Sequence, residues 1–257
     1  MNNNVEELLD KIYPNQINLK SFEIKDDLNS KIWKDGLLDP VVKDKLIKIA
    51  KEFLDYINLD IEIKPIDIII VGSIASYNWS KYSDIDLHIV IDFNDVDDNQ
   101  QLVTNYMYQL KSSWNDTHHN LNIYGYDVEL YVQNKDDTVE SNGIYSLKND
   151  YWLKIPKHLS YKLDKEFIKK MSSKIINKIE KYNELFDVLY LPKSIKLLND
   201  RVNYLYDNII HNRKSSIQAE GEFGSENIIF KVLRRSGHPE MLHNLKDKLY
   251  DKMHSLE

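Results

Sequence analysis

The sequence predicts a mixed α+β fold: a small sheet backed by helices, followed by a C-terminal helical bundle. Three observations carry that expectation. "PIDIIIVG", starting at Pro65, is a short run rich in β-branched residues that closes on glycine, the pattern of a buried strand. "YGYDVELYVQ", starting at Tyr124, alternates apolar and polar positions, as a strand with one covered face does. From Tyr161 to Leu191 no glycine or proline interrupts a helical spacing of apolar residues. At 257 residues and 42% hydrophobic content, the chain can bury cores of this size.

In chain order, residues 1–40 hold no sustained period beyond a short helix expected over Val5–Ile12. "DPVVKDKLIKIAKEFLDYI" predicts the first long helix. Pro40 suits its first turn, and Val41, Leu46, Ile49, Phe53 and Ile57 recur at helical spacing. After the first strand, "SIASYNWS" reads as a helical turn or loop and "DIDLHIVID" as a second strand. "DDNQQLVTNYMYQLKSSW" reads as a helix, and "YGYDVELYVQ" is the third strand.

The second half changes character. Phe167, Met171, Ile175, Ile179, Tyr182, Phe186 and Leu189 mark a long helix that Pro192 ends. Ser194–His211 resumes the pattern with Leu198, Val202, Leu205 and Ile209. "KSSIQAEGEFGS" predicts a loop, Ser225 the N-cap of a helix over Glu226–Ser236, and Pro239 the start of the last helix. The expected organisation is a sheet domain over 1–152 and a bundle of about four helices over 153–257.

Composition narrows the chemistry. With no cysteine, disulfide frameworks and Cys-based zinc sites are excluded, and a reducing compartment fits. No apolar run approaches the ~18 residues a membrane helix needs. "MNNNVEELLDK" lacks the basic-then-apolar order of a signal peptide, so a soluble, cytoplasmic protein with no membrane partner is expected. The net charge of -7 conceals an asymmetry: residues 1–152 carry a net of -13 and residues 153–257 a net of +6. An acidic half joined to a basic half fits a metal-binding portion and a phosphate-facing portion; two ordinary solvated surfaces are the plainer explanation.

The chemistry-bearing stretch is "VGSIASYNWSKYSDIDLHIV", from Val71. Aspartate is a poor strand former, yet Asp84, Asp86 and His88 alternate onto one face of the second strand. Neighbouring carboxylates raise each other's pKa unless a cation neutralises them. Magnesium suits them, because it takes carboxylate and phosphate oxygens together; calcium is an alternative, though the spacing is unlike an EF-hand loop. On the third strand Asp127, Glu129 and Tyr131 share a face, and either acid can supply a third carboxylate. Three carboxylates can hold two metal ions about 3.5–4 Å apart. Gly72 lets the backbone turn sharply after the first strand, and N–H groups with the Ser73 hydroxyl can cradle phosphate.

"VGS", ten residues, then "DIDLHI" resembles the polymerase-β-like nucleotidyltransferase superfamily, and among its members the stand-alone predicted nucleotidyltransferases of tailed bacteriophages. The resemblance covers roughly residues 64–133, with a less specific likeness in "GEFGSENIIFKVLRRSG". It implies that Gly72 and Ser73 bind the phosphates of a nucleoside triphosphate such as ATP. Asp84 and Asp86 would ligate two Mg2+ ions, with Glu129, or else Asp127, as the third acid. The implied reaction moves a nucleoside monophosphate to an acceptor hydroxyl and releases pyrophosphate. The acceptor would be an RNA 3′ end such as tRNA, which the basic bundle favours, or else a protein side chain, a small molecule or another nucleotide. Many relatives carry an arginine soon after the Gly-Ser; here none follows, so Lys81 or the basic bundle must supply that charge. A catalytically silent module of the same fold, binding a nucleotide or a host factor, is the alternative.

Lesser candidates complete the reading. Lys231, Arg234 and Arg235 fall on one side of a helix, either to hold phosphates or as a solvated basic face. His88 can touch a phosphate, orient Asp86 or serve structurally, whereas His118 and His119 read as a solvated loop. Tyr145 and Trp152 can stack on a nucleobase, although packing is the plainer role. Gly221, Glu222 and Phe223 can form a lid or hinge.

Overall fold

The computed structural model of the chain describes residues 12–57 and 63–255. Of the short helix expected over Val5–Ile12, all but Ile12 lies outside the described residues. A two-residue hairpin comes first, β1 (Trp33–Lys34) against β2 (Leu37–Leu38), followed by helix α1 (Pro40–Ile57). Strands β3 (Asp67–Val71) and β4 (Ile85–Ile91), helix α2 (Gln100–Thr117), and strands β5 (Asn122–Ile123), β6 (Tyr126–Asn134), β7 (Ile144–Ser146) and β8 (Tyr151–Lys154) follow. The second half is helical: α3 (Lys165–Val188), α4 (Pro192–Glu220), α5 (Ser225–Arg235) and α6 (His238–His254). The architecture is α+β, as the sequence predicts.

The chain divides into two compact units. Lys20–Ser160 form one; the described residues before Lys20 join those from Tyr161 onward in the other. The sequence reading draws a single boundary between 152 and 153, whereas the segment before Lys20 is tied to the helical part. The Ile12 N–H donates to Asn177 Oδ1 of α3 at 2.9 Å, and Asn177 Nδ2 donates back to the Ile12 carbonyl at 3.0 Å. So distant a pairing in sequence leaves no local periodicity to read.

In the first unit the sheet order is β5-β6-β4-β3-β7-β8, antiparallel except for the parallel pair β4 and β6. Ile85, Leu87 and Ile89 are fully buried in a core that also takes Leu46, Phe53, Met107 and Trp114 from α1 and α2. The α1 stripe is Val42, Leu46, Ile49, Phe53 and Ile57; Val41, expected on it, is exposed. The step from 42 to 46 keeps one face, and 41 lies off it. Asp39 Oδ1 accepts the Val41 N–H at 2.8 Å and so caps the helix start. The hairpin of β7 and β8 leaves no readable pattern over residues 141–154, because strands of three and four residues show too few alternations.

In the second unit α4 runs to Glu220, through most of the stretch expected to be a loop. Lys, Gln, Ala and Glu are good helix formers, and no glycine intervenes before Gly221. Pro192 occupies the first turn of α4 as well as ending the pattern before it, and the α5 N-cap is Gly224 rather than Ser225. Near the start of α3 the buried face runs through Ile168, Ser172 and Ile176, leaving Phe167 exposed.

Leu87→Ala deletes a side chain with no exposed surface from the middle of β4. It should cost about 2–5 kcal/mol, read as a lower urea midpoint at unchanged slope.

Candidate active site

Registry builds the site. In the antiparallel pair, Val71 of β3 lies opposite Asp86 of β4, so the chain leaves β3 at Gly72 beside that carboxylate. In the parallel pair, Asp86 lies opposite Glu129, and His88 opposite Tyr131. Alternation buries Ile85, Leu87 and Ile89 on one face and turns Asp86 and His88 to the other, half-buried, as is Asp84 just before the strand. One oxygen from each of Asp84, Asp86 and Glu129 comes within 4.8 Å of the others, so the three can hold a metal ion. The third acid is Glu129. Asp127 shares its face but lies two residues back, exposed and paired with Asn122 of β5.

Gly72 has a role beyond turning the chain. Its φ of 75° and ψ of -160° fall where side-chain-bearing residues are rarely found. A Cβ built there would come 2.0 Å from Asp86 Oδ2, so the absent side chain is what gives this carboxylate its place. Its own N–H donates to Ser141 Oγ at 3.0 Å, and Ser141 donates to the Gly143 carbonyl at 2.8 Å. Ser73 opens a turn over Ser73–Ala75, and its hydroxyl lies 2.8 Å from that of Ser83. That bond closes the loop between the glycine turn and Asp84. The Ser141–Gly143 segment braces the turn: Asn142 Nδ2 donates to Ser76 Oγ at 2.6 Å, and a Cβ on Gly143 would collide with the Ala75 carbonyl.

A cation stands beside the acids. Lys111 of α2 places Nζ 3.0 Å from Glu129 Oε1 and 3.7 Å from the centre of the Tyr131 ring. Burial raises the Tyr131 hydroxyl's pKa far above the usual range; its bond to Glu129 and the charges of Glu129, Asp86 and Asp84 add to this. Burial pulls the His88 imidazole below its ordinary value, and the Lys111 charge pulls the same way. The 2.5 Å contact of Nδ1 with Gln133 Oε1 opposes both. That oxygen only accepts, so Nδ1 carries the proton.

The remaining candidates lie elsewhere or pack. Tyr145 is fully buried, its hydroxyl donating to Asp150 at 2.8 Å; Trp152 stacks on Trp33 with centroids 4.5 Å apart. Both follow the packing role. His118 stacks on Trp114, and exposed Lys81 lies over the Tyr82 ring. Lys231, Arg234 and Arg235 belong to α5 in the other unit, where Lys231 pairs with Glu222 at 2.9 Å. Gly221–Phe223 form a short turn there, with Phe223 stacked on Tyr161.

Sequence reading missed Lys111, Ser83 and Ser141. Ser83 is adjacent to Asp84, the one local signal available; the other two act across long separations. No family model, curated protein or solved structure matches the chain.

Gly72→Ala puts a methyl group where the Asp86 carboxylate sits. It should cost about 1–3 kcal/mol of stability. In protein that remains folded, Mn2+ binding should weaken about tenfold or more by calorimetry. Wild-type affinity in the folded variant would contradict the role given to Gly72.

Proposed function

We propose that the protein is a magnesium-dependent nucleotidyltransferase of the polymerase-β-like kind, moving a nucleoside monophosphate from a nucleoside triphosphate to an acceptor hydroxyl. The convergence of Asp84, Asp86 and Glu129, with Asp86 seated against side-chain-free Gly72, is the observation that carries this reading. Hard carboxylate oxygens on a half-exposed face match the donor set that magnesium shares with phosphate. Two bound Mg2+ ions would neutralise the triphosphate and lower the pKa of the attacking hydroxyl.

The chain's own groups then divide the work. Asp84, Asp86 and Glu129 would hold the ions, and Glu129 would also stand ready as proton acceptor. The Ser73 turn faces the phosphates, its hydroxyl able to rotate from Ser83 to a phosphate oxygen. The acceptor oxygen bonds to the α-phosphorus as the bond to pyrophosphate breaks, and the hydroxyl proton passes to Glu129 or to water. The +6 net charge of residues 153–257 favours an acceptor that itself carries phosphates, an RNA 3′ end such as tRNA before a protein or small molecule. Lys231, Arg234 and Arg235 are the residues proposed to meet phosphates there.

Incubation with labelled triphosphates, Mg2+ and total cellular RNA tests the proposal. Label should move to one acceptor, and Asp84→Asn or Asp86→Asn should each lower transfer roughly a hundredfold or more. Transfer surviving both substitutions would overturn the assignment. Nucleotide binding without transfer to any acceptor would favour the catalytically silent module.

A further inference from the structure

We propose that Lys111 is a tethered counter-cation of the carboxylate cluster, which keeps the protein from holding a divalent ion tightly until phosphate oxygens arrive with it. The proposal rests on the reading of Asp84, Asp86 and Glu129 as metal ligands and adds the order in which that site fills.

The geometry of Lys111 differs from that of an ordinary surface pair. Its side chain is 15% exposed, against 36% for its partner Glu129, so the lysine is the more enclosed of the two. The ammonium is held on two sides, by Glu129 Oε1 at 3.0 Å and by the Tyr131 ring at 3.7 Å. Exposed ion pairs are weak because long side chains must be ordered and water screens them; here the stem is already packed and the charge confined.

Two consequences of that placement pull in opposite directions. As a bracket, Lys111 orients Glu129, and its loss would weaken a metal ion's hold. As a charge, it sits within a few ångströms of any ion on Glu129, and like charges so close repel. Registry decides between them. Glu129 lies opposite Asp86 in the β4–β6 ladder, and the bonds that set this are backbone bonds independent of Lys111. Repulsion therefore dominates toward a bare divalent ion. Toward a triphosphate that arrives with one divalent ion, and so keeps net negative charge, the same ammonium attracts. Lys111 thus favours loading of metal and nucleotide together over metal alone.

The test is calorimetric binding by the full chain, with Mn2+ alone and then with a non-hydrolysable Mn2+–triphosphate. Lys111→Met and Lys111→Gln remove the charge; Lys111→Arg keeps it; Asp86→Asn is the control that abolishes metal binding. If Lys111→Met fails to fold, Lys111→Gln provides the neutral case. The neutral variants should bind Mn2+ alone about tenfold tighter and the metal–triphosphate several-fold weaker, and Lys111→Arg should match wild type within about twofold. A merely structural lysine would weaken both. Unchanged or weaker Mn2+ binding in the neutral variants, with Asp86→Asn still abolishing it, overturns the proposal and leaves the metal reading intact. Absence of Mn2+ binding in wild type and every Lys111 variant overturns the metal reading and this proposal with it.

Discussion

Asp86 sits where three backbone paths converge, and the site depends on that crowding. β3 ends beside it, β6 sets Glu129 opposite it, and the Gly72 turn passes so close that a Cβ would touch its carboxylate. Like charges brought together this way are costly and persist only where the surrounding structure enforces them. The enforcement lies on the other face of the same strand, where Ile85, Leu87 and Ile89 are locked into the core. Sliding β4 by one residue would send the aspartates inward and the isoleucines out, so hydrophobic burial fixes the position of the charges.

Much of this was legible in the sequence, for reasons that are local. Alternation alone puts Asp84, Asp86 and His88 on one face, and a glycine closing an apolar run marks a sharp turn. Asp127 and Glu129 stayed open as the third acid because both share a face; the β4–β6 register separates them, and no single strand encodes it. The reason for Gly72 was only half visible. The turn could be read, but not the approach of a carboxylate from the next strand or the Ser141 hydroxyl that takes its N–H. Lys111 lies among polar residues of an amphipathic helix, and its partner is 18 positions on. Short strands such as β7 and the polar last turns of α4 escaped for a related reason: a period needs length and an apolar face to register.

On the proposed reading, the carboxylate cluster of the first unit performs the chemistry. The arginine that the sequence resemblance leads one to expect after the Gly-Ser has no counterpart in "SIASYNWS". Lys111 supplies a positive charge from the opposite side of the cluster, next to Glu129 rather than the glycine turn. Its enclosure by Tyr131 and Glu129 makes it part of the carboxylate face, whose further residues, His88 and Gln133, are joined by a hydrogen bond.

Anomalous diffraction from crystals grown with Mn2+ and a non-hydrolysable triphosphate tests the central claim most directly. The account predicts manganese peaks about 2 Å from carboxylate oxygens of Asp84, Asp86 and Glu129, bridged to the triphosphate. Bound nucleotide with no anomalous density at these three residues, or with Glu129 turned away from the aspartates, would contradict it.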